Sequence, residues 1–159
     1  MMRLLLAISL ACLLAPAFAW AADGLAVVAH PGFPVASIAS DELSRIFLGK
    51  TQRLAGVALN PVNKESGSPE RSAFDQRIHR MDEEAMKQFW LAARIKGEGH
   101  PPRSLQSDAA VLRYVASVPG AIGYVRFPPA GSQVRSLALD GVAASDDTLG
   151  NGSYPLRLP

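Results

Sequence analysis

The run GLAVVAH, Gly24 to His30, is apolar at every position from Leu25 to Ala29. A strand with one wet face alternates apolar and polar residues, whereas a strand without alternation is covered on both faces. A chain that carries such a strand needs layers on both sides of its sheet. The runs GVALNPV (Gly56 to Val62), GAIGYVRF (Gly120 to Phe127) and VRSLALDG (Val134 to Gly141) read as further strands.

Helical patterns fall between these runs. In SDELSRIFLGK, Ser40 is the expected N-cap, Leu43, Ile46 and Phe47 form the apolar stripe, and Gly49 ends the helix. Ser72 to Ile78 and Met81 to Ile95 form a long helical region. In its second part Ala85, Phe89 and Ala92 share a face, flanked by Met86, Trp90 and Ala93. KGEGHPPRSLQ is a breaker-rich loop, and SDAAVLRYVASVPG is a helix with Ser107 as its cap and Pro119-Gly120 as its stop. The tail after Gly141 is mostly irregular, with a helical turn near Asp146. Strands alternating with helices, without repeats or a linker, predict one α/β layered domain.

The first residues stand apart. MMRLLLAISLACLLAPAFAWAADG has one early cation, Arg3, an apolar stretch from Leu4 to Leu14, and small residues at Ala17, Ala19 and Ala21. This is the pattern of a secretory signal peptide, too short for a membrane span and interrupted by Pro16. The expected division is a signal at 1–21, cleaved after Ala19 or Ala21, and a single domain at 22–159, exported to the periplasm. Cys12 is the only cysteine, so a processed chain would fold without disulfides. Its 15 remaining basic residues would face 14 acidic ones, which gives no nucleic-acid footprint.

Chemistry-bearing patterns are few. His30, His79 and His100 lack metal-ligand spacing, and no cofactor motif is present. His79, inside the basic run RIHR, reads as solvent-facing. GSPER is not a nucleophile elbow, and GEGHPPR lacks the dinucleotide fingerprint. The expectation is a protein that is not an enzyme and holds no metal or cofactor.

PVNKESGSPERSAF, Pro61 to Phe74, carries more. Gly67 permits a tight turn, Ser68 can cap a helix, and Pro69 suits its first position. Those features serve a capped helix without any ligand. They also suit an anion site, because helix starts present unpaired N–H groups to negative charge. In that reading Lys64 and Arg71 supply cations, and Ser66 and Ser68 supply hydroxyls beside Gly67.

SIASDELSRIFLGKT, PVNKESGSPERSAF and KGEGHPPRSLQSDAAVLRYVASVPGAIGYV, in that order, resemble the phosphate-binding-protein-like domain of the periplasmic binding proteins of phosphate ABC transporters. The likeness runs from about Gly24 to Gly141. It implies one three-layer lobe of the type II periplasmic-binding-protein fold, a mixed, mostly parallel sheet flanked by helices, with no partner lobe in the chain. It also implies phosphate or a related small oxyanion as ligand, at Lys64, Ser66, Gly67, Ser68 and Arg71. Lys64 stands near the family's arginine, and Pro69 and Glu70 replace its next glycine and threonine. The aromatic usual after GK is replaced by TQRLAG. An ABC permease or an envelope sensor is the implied partner, with a second copy as another means of covering the lobe. The alternative function is a regulatory interaction module of the envelope without tight ligand binding.

Overall fold

The computed structural model describes residues 23–131 and 133–159. The proposed signal segment 1–21, with Cys12, lies outside the described residues. The elements in chain order are β1 (Leu25–Ala29), β2 (Ser37–Ile38), α1 (Ser40–Phe47), β3 (Arg53–Leu54), β4 (Val57–Ala58), β5 (Asn60–Lys64) and α2 (Pro69–Phe74). A π-helical turn at Asp75–His79 follows, then α3 (Glu83–Lys96), β6 (Arg103–Leu105), α4 (Asp108–Ser117), β7 (Ala121–Arg126), β8 (Arg135–Leu139) and α5 (Asp146–Gly150).

Six strands form one sheet in the order β2-β8-β1-β7-β5-β6. β1 is antiparallel to both β7 and β8, while β2 runs parallel to β8 and β5 runs parallel to both β7 and β6. The sheet is mixed and mostly parallel, as expected. All five residues of β1 are buried, which explains its unbroken apolar run.

Alternation along the central strands builds two cores. Leu25, Val27 and Ala29 of β1 and Ile122 and Tyr124 of β7 join Leu43, Ile46, Phe47, Phe74 and Ile78 on one face. Val28, Ala121 and Val125 point the other way, onto Val111 and Val115 of α4. Helices cover both faces, giving the three-layer lobe. A Cβ at Gly123 would lie 2.9 Å from Val62 Cγ1 and 3.0 Å from Val111 Cγ1. Glycine there lets α4 and β5 close on β7.

Several expectations need correction. Residues 56–62 form no single strand: β3 and β4 make a separate ribbon, and β5 starts at Asn60. The loop at 96–106 contains an edge strand, β6, formed by pairing with β5. Ser40 is the first residue of α1, not its cap. Its N–H donates to Asp140 Oδ1 at 2.7 Å and its hydroxyl to the same carboxylate, so a residue 100 positions away closes that helix end. The helix from Ser72 ends at Phe74, and the π turn follows. Widening the turn carries His79 into the interior, with 2% side-chain exposure; it is not solvent-facing. In α3 the buried residues are Met86 and Ala93, and Ala85 and Ala92 are exposed.

Candidate functional site

The junction of β5 and α2 is held from below by the central strand β7. Tyr124 stacks on Phe74, with ring centroids 3.9 Å apart and planes 7° from parallel. Its hydroxyl donates to Asn63 Oδ1 at 3.1 Å and accepts the Lys64 N–H at 3.2 Å. Burial pushes the Tyr124 phenol up, so it remains a neutral donor. The end of β5 is thereby fixed to the sheet before the chain turns.

Glu65 to Ser68 form a β-turn, closed by the Ser68 N–H donating to Glu65 O at 3.2 Å. Gly67 takes φ +83° at the third position, a conformation that favours glycine. Ser68 then caps α2: its hydroxyl oxygen accepts the Arg71 N–H at 3.2 Å and its O–H donates to Glu65 O at 2.8 Å. Pro69 occupies the first helical position, as expected. Among the described residues, the N–H groups of Ser66 and Gly67 make no hydrogen bond, whereas that of Glu70 donates to its own carboxylate. Ser66 and Gly67 are exposed, and Glu70 is partly so.

The charged residues form pairs around this turn. Lys64 is buried, and its ammonium meets Asp108 Oδ1 at 2.6 Å. Arg71 Nε donates to Asp75 Oδ2 at 2.7 Å, and its guanidinium also donates to Lys64 O at 3.3 Å. Glu70 turns away from the turn to accept Arg126 Nε at 2.6 Å. Burial works to raise the Glu70 pKa, but the bond from Arg126 prevails and holds it below the usual carboxylate value. Arg126 also reaches Asp23 at 3.0 Å, and its backbone N–H donates to Asp108 Oδ2 at 3.1 Å. The Ser66 hydroxyl donates to Glu83 at 3.3 Å.

Beneath the turn lies a buried polar chain. His79 Nδ1 is 2.9 Å from the Ser44 hydroxyl, and His79 Nε2 is 3.9 Å from Asp75 Oδ1. Asp75 Oδ1 has no hydrogen-bond partner among the described residues. Burial raises the Asp75 pKa against the pull of Arg71. Burial, reinforced by the Arg71 charge, lowers that of His79 to about 4, so the imidazole is neutral at pH 7. The tautomer with hydrogen on Nε2 lets Ser44 donate to Nδ1.

A groove of about 340 Å³ runs from the turn along α3. Ser66, Arg71 and Asp75 form one wall, Lys87, Trp90 and Arg94 the other. A second concavity, about 440 Å³, opens on the far side of Asp108 between α4 and the segment after β7. It contains none of the expected ligand residues.

The structure thus brings Lys64, Ser66, Gly67, Ser68 and Arg71 together at one junction. Ser66 and Arg71 face the groove, whereas Lys64 lies inside, on Asp108. Sequence reasoning missed Asp108, Arg126, Asp75, Lys87, Trp90 and Arg94. Only Asp75 carried a local signal, four residues after Arg71 on one helical face. His30 does local work, its Nδ1 accepting the Gly32 N–H at 3.0 Å. No helix among the described residues is long and apolar enough to cross a membrane, and no cluster of three metal-ligating side chains occurs among them.

A three-layer lobe with a mixed sheet and a capped helix start after its inner strand defines a phosphate-binding-protein-like fold. Comparison with solved structures agrees. The chain superposes on an ABC-type phosphate transport receptor from Vibrio cholerae with a TM-score of 0.71 at 18% identity, covering 86% of this chain and 54% of that one. A protein from Clostridium perfringens, assigned as a phosphate ABC transporter substrate-binding protein and solved with bound phosphate, gives 0.69 at 24% identity, covering 86% and 53%. Among curated sequences, phosphate-binding protein PstS of Bacillus subtilis (strain 168) is 27% identical over 136 residues, 84% of this chain and 41% of its own length. PstS 2 of Streptococcus pneumoniae (strain ATCC BAA-334 / TIGR4) is 28% identical over 109 residues, 69% of this chain and 35% of its own. The chain therefore spans about half or less of the proteins it matches. No family model matches it.

Proposed function

We propose that this chain is a periplasmic binding lobe for phosphate or a related small oxyanion, exported by a signal at 1–21 and folded as one domain over 22–159. The observation that carries the reading is the β5–α2 junction, where the N–H groups of Ser66 and Gly67, just before the helix start, have no intramolecular acceptor among the described residues. Such groups at a helix start favour an anion. Gly67 and Ser68 hold the turn, and the Ser66 hydroxyl can rotate from Glu83 to donate. Arg71 and Lys64 contribute positive potential from their ion pairs. The relatives named as phosphate-binding proteins support the ligand class.

Because Lys64 and Arg71 already have carboxylate partners, binding is expected to be weak and to depend on backbone donors. An ABC permease is the partner suggested by the transport receptors, and binding without catalysis is the expected activity. The test is thermal unfolding with phosphate, sulfate or chloride at constant ionic strength. A site-specific ligand stabilises by about 2.7 kcal/mol at a hundredfold excess over Kd, several degrees for a domain of this size. Ser68→Ala should reduce that ligand-dependent increment beyond its own loss of stability. No increment with any oxyanion sinks the reading.

One observation favours a second reading, an envelope interaction module such as one docking on a sensor. The same ion pairs that quench Lys64 and Arg71 leave the lobe internally balanced without a ligand. Recovery of a stoichiometric envelope partner by a protein that shows no oxyanion increment would select it.

A further inference from the structure

One oxygen of Asp75 is an acceptor without a donor. The side chain is 6% exposed. Its Oδ2 takes the Arg71 Nε–H, whereas Oδ1 has no partner among the described residues. His79 Nε2, at 3.9 Å, is beyond hydrogen-bond reach. A buried carboxylate oxygen left unmet costs free energy that a donor on a ligand can recover. Asp75 lines the groove along α3, which is where such a ligand would lie. Helical spacing builds the opposite wall: Glu83, Lys87, Trp90 and Arg94 share one face of α3. Ser66 meets Glu83 at one end of that face, and Arg94 lies about 16 Å further along the helix axis.

We propose that the groove receives a sugar phosphate, with the phosphate group at the Ser66–Gly67 turn, the sugar ring against Trp90 and a sugar hydroxyl donating to Asp75 Oδ1. This rests on the oxyanion reading and names the organic part of the ligand. Size argues for such a part. The groove holds about 340 Å³, within the range of small-molecule sites, whereas a free phosphate displaces about two waters, roughly 60 Å³. Chemistry narrows its kind. A hydrocarbon or aromatic ester could cover Trp90, but it would leave Asp75 Oδ1 without a donor. A sugar serves both: its C–H face packs on the half-buried Trp90, and its hydroxyls donate to Asp75 and accept from Lys87 or Arg94. Charge agrees with an anionic ligand. Arg71 and Lys87 pair with Asp75 and Glu83, while Arg94 has no ion pair among the described residues. The groove is therefore left with one unmatched cation.

The test uses Trp90 as its reporter. Trp20 lies in the segment 1–21, so Trp90 is the only tryptophan of the chain over 22–159. Its emission is followed at constant pH and ionic strength as inorganic phosphate, glucose 6-phosphate, ribose 5-phosphate or glucose is added, and calorimetry gives each dissociation constant. At least one of the two esters should bind about tenfold or more tightly than phosphate, with a saturable change in emission, and glucose should bind far more weakly than that ester. By calorimetry, Trp90→Ala and Asp75→Asn should each erase the preference for the ester over phosphate. Circular dichroism melts check that the variants fold, and Trp90→Ala decides the matter if Asp75→Asn does not. Phosphate binding as tightly as either ester, or emission indifferent to a bound ester, overturns the sugar phosphate and leaves the oxyanion reading standing. Glucose binding as tightly as its ester, or a preference that survives Trp90→Ala, overturns it as well. Failure of phosphate and both esters alike to bind sinks the two readings together.

Discussion

Helices α3 and α4 begin in the same way and end in different environments. Each has a short polar cap, Asp82 accepting the Ala85 N–H and Ser107 accepting the Ala110 N–H. α4 lies on β7 with Val111 and Val115 fully buried, against a strand whose Gly123 lets it approach. α3 is longer, yet it buries only Met86 and Ala93 and leaves Leu91 and Ile95 in solvent. Local sequence makes the helix; the sheet decides whether it becomes part of the core. Capping contributes about 1 kcal/mol at either helix, whereas a buried valine contributes about 2 kcal/mol through area removed from water.

The largest expected difference between the two helices follows directly. Val111→Ala with Val115→Ala should cost about 4 kcal/mol in urea unfolding, near 2 kcal/mol for each side chain. Leu91→Ala should change stability by less than about 0.5 kcal/mol. Equal losses would place α3 in the core and break the contrast.

A smaller effect reports on the π turn that leads into α3. His79 protonates near 6.5 when unfolded and near 4 when folded. Between those values the unfolded chain takes up the extra proton, so stability falls as pH falls. The loss starts below about pH 6.5 and approaches roughly 3 kcal/mol at pH 4. Asp75, whose carboxyl burial raises, works in the opposite direction as it gains its own proton and reduces the slope. His79→Gln should flatten the curve in this window; an unchanged slope would show that another group causes it.

Ser68→Ala should cost about 1 kcal/mol through loss of the α2 cap, measurable as a lower urea midpoint. Amide hydrogen exchange then gives the finest comparison. The amides of α3 should open at lower free energy than those of α4, because fewer buried apolar contacts hold them. Matching protection in both helices would contradict the difference in packing.

What the sequence showed of this fold depended on how local its cause was. Ser107 before Asp108, and Ser68 before Pro69, are caps completed within three residues, and both appear where the sequence puts them. The strand β1 was legible because burial on both faces leaves no polar position. β6 was hidden in a proline- and glycine-rich segment, since pairing with β5 creates it. Asp140 closes α1 from the end of the neighbouring strand β8, 100 residues away in sequence, and no spacing could announce that. His79 looked basic and exposed between Arg77 and Arg80, which are indeed exposed; the π turn alone rotates it inward. At the candidate site, the turn was readable and its electrostatics were not. Lys64 meets Asp108 across 44 residues and Glu70 meets Arg126 across 56, so both cation and anion balance came from tertiary contacts.

The central claim is that unpaired backbone N–H groups at the β5–α2 junction receive an oxyanion. Titrating phosphate into the 15N-labelled protein at constant ionic strength and following amide resonances tests it most directly. The amides of Ser66 and Gly67 should move together along a single saturable 1:1 isotherm, with chloride leaving them in place. Shifts that never saturate, or that scatter over surface lysines and arginines while these two stay still, would contradict the account.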